Sequence, residues 1–467
     1  MTPDLGHFDV VVIGAGIVGC AIARELAGYE VSVAVVEARA DVGDGTSKAN
    51  TALLHTGFDA KPGTVESRLV ARGYELLSAY AERTGIPVER TGALLVAWTA
   101  DEFAALPGLR AKAELNGYDR CVLVDDAEVY RRVPALGPGA LGGLTVPDES
   151  VICTWTTNLA LATETRLRGG EFLLSTQVTG VRAGSDETGP TTTLETTHGP
   201  VTARWVVNAA GLGADRVDAL FGFQRFTVTP RRGELFVFDK LARRLVDTIV
   251  LPVPTAVGKG VLISPTIYGN VMLGPTAEDL VDRADTATTE AGFEYLLGKG
   301  ERLMPALVRE EVTASYAGLR AATERGDYVI EVDADGRYLL LGGIRSTGLT
   351  AGMAIAEYGV QLLGDAGLAL TPKPALPAPP RMPNLGEASG RPYQDAERIG
   401  RDPAYGRVVC FCERVTEGEI RDAFASPLPP PTLDGLRRRT RALNGRCQGF
   451  FCAARVADLA TTFGLDS

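Results

Sequence analysis

Unbroken apolar runs mark the strands this chain buries on both faces. FDVVVIG at residues 8–14, VSVAVVE ending at Glu37, RWVVNA before residue 210 and YLLLGG from residue 338 each read as a buried parallel strand. Helical spacing follows the first of them. IVGCAIARELAG puts Ile17, Ala21 and Leu26 on one side, and residues 65–84 put Leu69, Leu76 and Leu77 on another apolar face. Further helices are predicted at 101–116, 125–132, 289–303, 305–310 and 349–364, with a strand at 91–98 and more strands between 226 and 275. Residues 171–208 read as a meander with a turn at His198 and Gly199. Residues 41–64, rich in Gly, Ser, Thr and Asn, read as a long loop. Residues 371–406 hold seven prolines before Pro403 and read as a linker or surface wrap without a helix.

The turn after the first strand carries chemistry. Gly14, Gly16 and Gly19 form a G-x-G-x-x-G between a strand and a helix. One glycine permits the tight turn, one lets a diphosphate approach the backbone, and one lets helix and strand pack closely. The helix start offers free N–H groups and a positive dipole end. Glu37, about twenty residues on, is placed to accept hydrogen bonds from a ribose. Together these predict a dinucleotide site; the competing reading is a glycine-rich structural turn.

Composition narrows the class. The chain has 467 residues, room for two or three domains, and 45% hydrophobic residues, as in ordinary globular proteins. Its net charge of −11, with no long basic run, argues against a nucleic-acid partner. No apolar stretch reaches the roughly 18 to 20 residues of a membrane span, and the N-terminus has no secretory pattern, so a cytoplasmic protein is expected, with membrane contact only through a partner. Of seven cysteines, Cys410, Cys412, Cys447 and Cys452 crowd the last part of the chain, which points to metal or redox chemistry; Cys20, Cys121 and Cys153 are scattered.

Beyond these residues the chain resembles a known family. GAGIVG with Glu37, then GTSKANTALLHTGFDAKPGT, resembles the FAD-dependent oxidoreductases of the D-amino-acid-oxidase fold. Within them it resembles the glycerol-3-phosphate dehydrogenase and oxidase branch and its relative L-2-hydroxyglutarate dehydrogenase. NAAGLGAD and GGIRSTGLTAG match the later flavin-contacting segments. The tail, VVCFCERVTEGEIRDAF followed by GRCQGFFCAARV, resembles the bacterioferritin-associated-ferredoxin-like [2Fe-2S] module.

The resemblance implies an α/β plus α+β fold: a Rossmann-like FAD-binding domain, an interleaved β-sheet substrate domain and a small C-terminal [2Fe-2S] module. The expected division assigns 1–90, 145–225 and 325–370 to FAD, 91–144 and 226–324 to substrate, 371–406 to the linker and 407–467 to the cluster module. FAD contacts are expected from Gly14, Gly16, Ile17, Val18, Gly19, Glu37 and Ala38, then from Thr46, Ser47, Asn50, Thr51 and Val178. Ala210, Gly211, Gly343, Arg345, Gly348, Leu349 and Thr350 complete that set. The four tail cysteines supply two sulfur ligands per iron of a [2Fe-2S] cluster; structural zinc and free thiols are the alternatives. The basic run RRRTR, 437–441, reads either as a dock for an acidic redox partner and offset to the cluster's charge, or as a solvated helix face.

Of three histidines, His7 is expected to be exposed before the first strand and His198 to lie in a turn. His55 follows the FAD unit, and in the resembling dehydrogenases this position is the base that takes the substrate's hydroxyl proton. Lys259, Arg320 and Arg345 are candidate anion anchors, with Ser346 a hydroxyl contact. The leading expectation is oxidation of the secondary alcohol of a small anionic substrate, glycerol 3-phosphate above others, with electrons passed through the cluster to a redox partner or quinone-linked subunit. TSKANTALLH departs from the T-G-R-N-H-G run of the glycerol-3-phosphate dehydrogenases that carry this tail. A 2-hydroxy-acid or amine dehydrogenase, a biosynthetic tailoring oxidase and a non-catalytic electron-transfer subunit therefore stay open, as does an oligomer.

Overall fold

The computed structural model describes residues 3–187, 189–254 and 260–465. Its first sheet is built round the strand His7–Ile13, with Val10, Val11 and Val12 fully buried. That strand lies parallel between Val33–Val36 and Val201–Asn208, with Val10 beside Val33 and Trp205. His7 is exposed, as expected, but is the strand's first residue rather than preceding it. Tyr338–Gly342 pairs parallel with the end of Val201–Asn208. The first helix, Ile17–Leu26, packs against Thr154–Leu167 and Gly348–Asp365, and Val65–Thr84 packs on the latter. Thr64 caps Val65–Thr84 by accepting a hydrogen bond from Ser67 N–H, and Gly85 ends it in the left-handed region.

One expectation about this half needs correction, and one helix was not predicted. Residues 171–208 do not form one meander. Val178–Asp186, Gly189–Thr196 and Val201–Asn208 do so, but Glu171–Leu173 pairs parallel with Val33–Val36 at the opposite edge. The chain reaches that edge after the helix Thr154–Leu167. No apolar periodicity predicts this helix, because Thr156, Thr157, Asn158, Thr163 and Glu164 are buried along with its leucines and alanines.

Among the described residues the second sheet has nine strands. Val228–Phe238 and Val312–Thr323 form a long antiparallel pair at one end, and Val271–Gly274, Leu262–Pro265 and Ile249–Pro252 continue the sheet. Ile249–Pro252 runs parallel to Ala93–Ala97, which leads on to Gly142–Val146 and Val122–Asp125. Strands drawn from 93–146 and 228–323 thus share one sheet, and strands from 7–36, 171–208 and 329–342 the other.

The proline-rich segment runs extended over the surface as far as residue 391. It then makes a helix at Ala396–Arg401 and single turns at Pro392–Gln394 and Pro403–Gly406, against the expectation of none. Asp395 starts the helix and Asp402 the turn Pro403–Gly406, by accepting the N–H groups of Arg398 and Ala404, so the aspartates act as caps. The tail has its own core of Val415, Ile420, Leu436, Val456 and Leu459. Among the described residues no helix is long and apolar enough to cross a membrane.

Candidate functional site

The glycine turn is shaped by contact. Gly14 stands at φ +105, and a Cβ there would lie 2.6 Å from Ala209 O. A Cβ on Gly19 would lie 1.8 Å from Gly14 O, so both positions exclude any side chain. Gly16 precedes the first helix without a side-chain cap of its own, and Ile17 N–H donates to Ser47 Oγ at 2.9 Å. Glu37 accepts hydrogen bonds from the N–H groups of Ala15 at 2.7 Å and Arg39 at 2.8 Å. Burial pushes its carboxyl up, against the pull of those two bonds.

A cavity of about 1410 Å³ opens from this turn and runs between the two sheets. Its wall includes Gly16, Ile17 and Val18 from the first helix and Thr46, Ser47, Asn50 and Thr51 from the following loop. Gly211, Gly343, Arg345, Ser346, Gly348, Leu349 and Thr350 come from later segments. Gly14, Gly19, Glu37, Ala38, Val178 and Ala210 lie outside the cavity wall. The helix Gly348–Asp365 begins at this wall with no side-chain cap, because the Thr347 hydroxyl donates to Glu66 at 2.8 Å. Thr350 Oγ1 accepts His55 N–H at 3.0 Å, so that hydroxyl holds the histidine's backbone. A bare glycine turn, an uncapped helix start and a cavity of this size fit FAD.

His55 and Arg320 line the same cavity. His55 Nδ1 is 2.8 Å from Glu149 Oε1 and Nε2 is 3.0 Å from Asp59 Oδ1. Burial opposes a charge on this ring, but Glu149 and Asp59 outweigh it and push its pKa up to about 10. Glu149 is fully buried; its Oε1 also accepts the N–H and hydroxyl of Thr56, each at 2.7 Å. Sequence reasoning missed both carboxylates. Asp59 stands one helical turn's spacing from His55, in the same TGFD stretch, whereas Glu149 gives no local signal.

Arg320 projects from Val312–Thr323, and its guanidinium donates to the carbonyls of Thr276 at 2.8 Å, Arg232 at 3.3 Å and Arg231 at 3.4 Å. It makes no ion pair with an acidic side chain among the described residues. Arg345 is 3.6 Å from Glu66, and Ser346 is exposed. Lys259 lies outside the described residues.

In the tail, Cys412 neighbours Cys447 and Cys410 neighbours Cys452, and burial together with the facing sulfur pushes the Cys412 and Cys452 thiols up. The N–H groups of Phe451, Gly449 and Phe450 hold the Cys447 thiol below its usual range. Leu443 N–H donates to Cys452. Among the described residues the thiols come as two pairs, not as three or more groups around a single ion. Two thiol pairs with backbone N–H donors fit a [2Fe-2S] cluster.

The basic run is neither a dock nor a solvated face. Arg438, Arg439 and Arg441 are buried. Arg439 Nη1 and Nη2 lie 2.7 and 2.9 Å from the two oxygens of Asp41, and Arg438 lies 2.8 Å from Asp41 and 2.9 Å from Asp44. Arg441 pairs with Glu413 at 3.2 Å and stacks 4.1 Å from the Tyr268 ring centroid. Arg438 and Arg439 pin the tail to the loop after Glu37, and the same loop bonds back to the glycine turn through Gly43 N–H to Ala15 O at 2.9 Å.

Comparison with known proteins agrees with this geometry. The family model described as FAD dependent oxidoreductase matches residues 9–362, and the BFD-like [2Fe-2S] binding domain matches 408–461. Over 466 residues the chain is 34% identical to a glycerol 3-phosphate dehydrogenase of Caloramator mitchellensis, covering 98% of this chain and 95% of that protein. It is 27% identical to a subunit of the anaerobic glycerol-3-phosphate dehydrogenase of Escherichia coli (strain K12), covering 99% and 90%. The solved structure of the L-alpha-glycerophosphate oxidase of Mycoplasma pneumoniae with FAD bound superposes with a TM-score of 0.75 at 29% identity, over 81% of this chain and 100% of that one.

Proposed function

We propose that this chain, which belongs to the FAD dependent oxidoreductase family and carries a BFD-like [2Fe-2S] binding domain, oxidises the secondary alcohol of glycerol 3-phosphate to the ketone of dihydroxyacetone phosphate. The observation that carries this reading is the shared cavity. One wall is the dinucleotide turn, and the rest of the lining includes His55 and Arg320, an arginine without an acidic partner among the described residues. Glycerol phosphate is favoured because relatives named for it align along nearly the whole chain.

FAD supplies a hydride acceptor. Arg320, its guanidinium already oriented by three carbonyls, binds the phosphate. Lys259 is proposed as a second cation, and Ser346 as a hydroxyl contact from the cavity wall. His55 removes the hydroxyl proton. The uncapped start of Gly348–Asp365 would help to hold FAD and would offer positive potential to it. On the same reading, 1–90, 145–225 and 325–370 hold FAD and 91–144 with 226–324 hold substrate, a division supported by the membership of the two sheets.

The [2Fe-2S] cluster supplies one-electron transfer, and a redox partner protein or quinone-linked subunit is its proposed acceptor. The exposed Phe411, Phe450 and Phe451 beside the cysteine ligands, and the naming of the Escherichia coli relative as one subunit of its enzyme, support this. Membrane association is proposed only through such a partner.

The test is anaerobic flavin bleaching across glycerol phosphates, 2-hydroxy acids and amines. Glycerol 3-phosphate should bleach fastest, and faster bleaching by a hydroxy acid or an amine reassigns the substrate. His55→Ala should keep FAD and bleach about 100-fold or more slowly, as loss of a general base does. Near-normal bleaching removes His55 from the reaction.

A further inference from the structure

A base must be able to accept a proton, and His55 is arranged against this. Both ring nitrogens lie within hydrogen-bond distance of a carboxylate, Nδ1 at Glu149 and Nε2 at Asp59. Such a ring donates at both positions and is an imidazolium. Among the described residues, the charged side chains within hydrogen-bond distance of the ring are those two; the helix Gly348–Asp365 contributes the Thr350 hydroxyl to its backbone, and Phe58 presents a ring edge at 5.5 Å. His55, Asp59 and Glu149 all line the cavity.

We propose that Asp59 takes the Nε2 proton of His55 when substrate fills the cavity, so that the imidazole, held through Nδ1 by Glu149, becomes the base. This rests on the role given to His55 under the proposed function. Asp59 and Glu149 are positioning residues, since each acts through the ring. The two carboxylates divide the work by their surroundings. Glu149 is fixed by the bonds from Thr56, so Nδ1 keeps its proton and the ring keeps its orientation. Asp59 faces the other ring nitrogen, Nε2, and both carboxylates line the cavity that the incoming molecule enters. Excluding water there disfavours the charged His55–Asp59 pair relative to the neutral pair, and moving the proton creates no net charge.

The atoms balance. The Nε2–H bond breaks, an O–H bond forms on Asp59, and the electron pair stays on Nε2. The substrate O–H bond then breaks as Nε2–H reforms; the oxygen's pair becomes the second C=O bond, and the C–H hydrogen leaves with its pair to the FAD of this family. The substrate carbon is oxidised and FAD reduced. Asp59 releases its proton to solvent to reset the site.

The test uses the FAD-loaded full chain labelled with ¹⁵N-histidine. His7 and His198 are exposed and serve as internal references against His55. His55 should stay an imidazolium past pH 8. A His55 already neutral at pH 8 in the unsubstituted protein overturns the relay, with no substrate involved. In anaerobic single turnover with glycerol 3-phosphate, Asp59→Asn should bleach about 100-fold more slowly at pH 7 and recover as pH rises through the lowered His55 titration. Asp59→Glu should restore most of the neutral-pH rate. Bleaching by Asp59→Asn at the unsubstituted rate across that range overturns the proposal while leaving the substrate reading intact. Failure of glycerol 3-phosphate to bleach the unsubstituted protein sinks the substrate, and the histidine titration still decides the relay.

Discussion

A methyl group on Gly19 would meet the carbonyl oxygen of Gly14, a backbone atom with nowhere to retreat. Gly19→Ala should therefore purify with little or no FAD, read from the ratio of flavin to protein absorbance; a normal ratio would show that the turn yields. Such a glycine is legible in sequence because its requirement is local, set by a turn of six residues. His55 was legible in part. Its place in the loop after the FAD unit marks it, but its charge state does not, since Glu149 lies 94 residues away and reaches it only through the fold. Arg320 shows the same limit: its residue type suits an anion, yet only the three carbonyls around it show that its charge is not spent on a neighbouring carboxylate.

At the scale of elements, charge pairing overrides local pattern. The helix Leu433–Thr440 looks like a basic surface helix, and its arginines are buried on Asp41 and Asp44 of a loop near the N-terminus. Removing one partner of such a pair leaves the others desolvated, at a cost of about 3–5 kcal/mol. Asp41→Ala should loosen the tail, seen as faster proteolytic release of the cluster module while the main body survives. Asp41 is buried, but Arg439 and Arg438 outweigh that and hold its carboxyl below the usual range. Its contribution is therefore present above the ordinary aspartate range and lost as pH falls through the lowered value. Release of the tail should accelerate only under strongly acidic conditions, and release near pH 7 would contradict the pairing. Helix Val65–Thr84 lay open to periodicity because one face is solvated; Thr154–Leu167 did not, because nearly all of it is buried.

Across the whole molecule, two sheets and a tail converge on one loop and one cavity. The order of strands was readable where apolar runs are continuous, and the interleaving of the two sheets followed from family resemblance rather than from any local signal. The tail's chemistry was readable from cysteine spacing, its attachment was not. Replacing Cys447 by Ser should remove the visible spectrum of the cluster and still leave substrate-dependent flavin bleaching, with turnover to a one-electron acceptor reduced; loss of bleaching as well would mean that the cluster module also shapes the flavin site.

The Asp41–Arg438 contact also sets a schedule. The partners are 397 residues apart, and a ribosome adding about 5–20 residues per second separates their appearance by roughly 20–80 s. Throughout that interval the loop beside the glycine turn carries Asp41, whose arginine counter-ions have not been made. The first segment of the nascent chain is thus among the last to reach its final state, and a ribosome-stalled chain ending before residue 433 should hold FAD more weakly than the released protein.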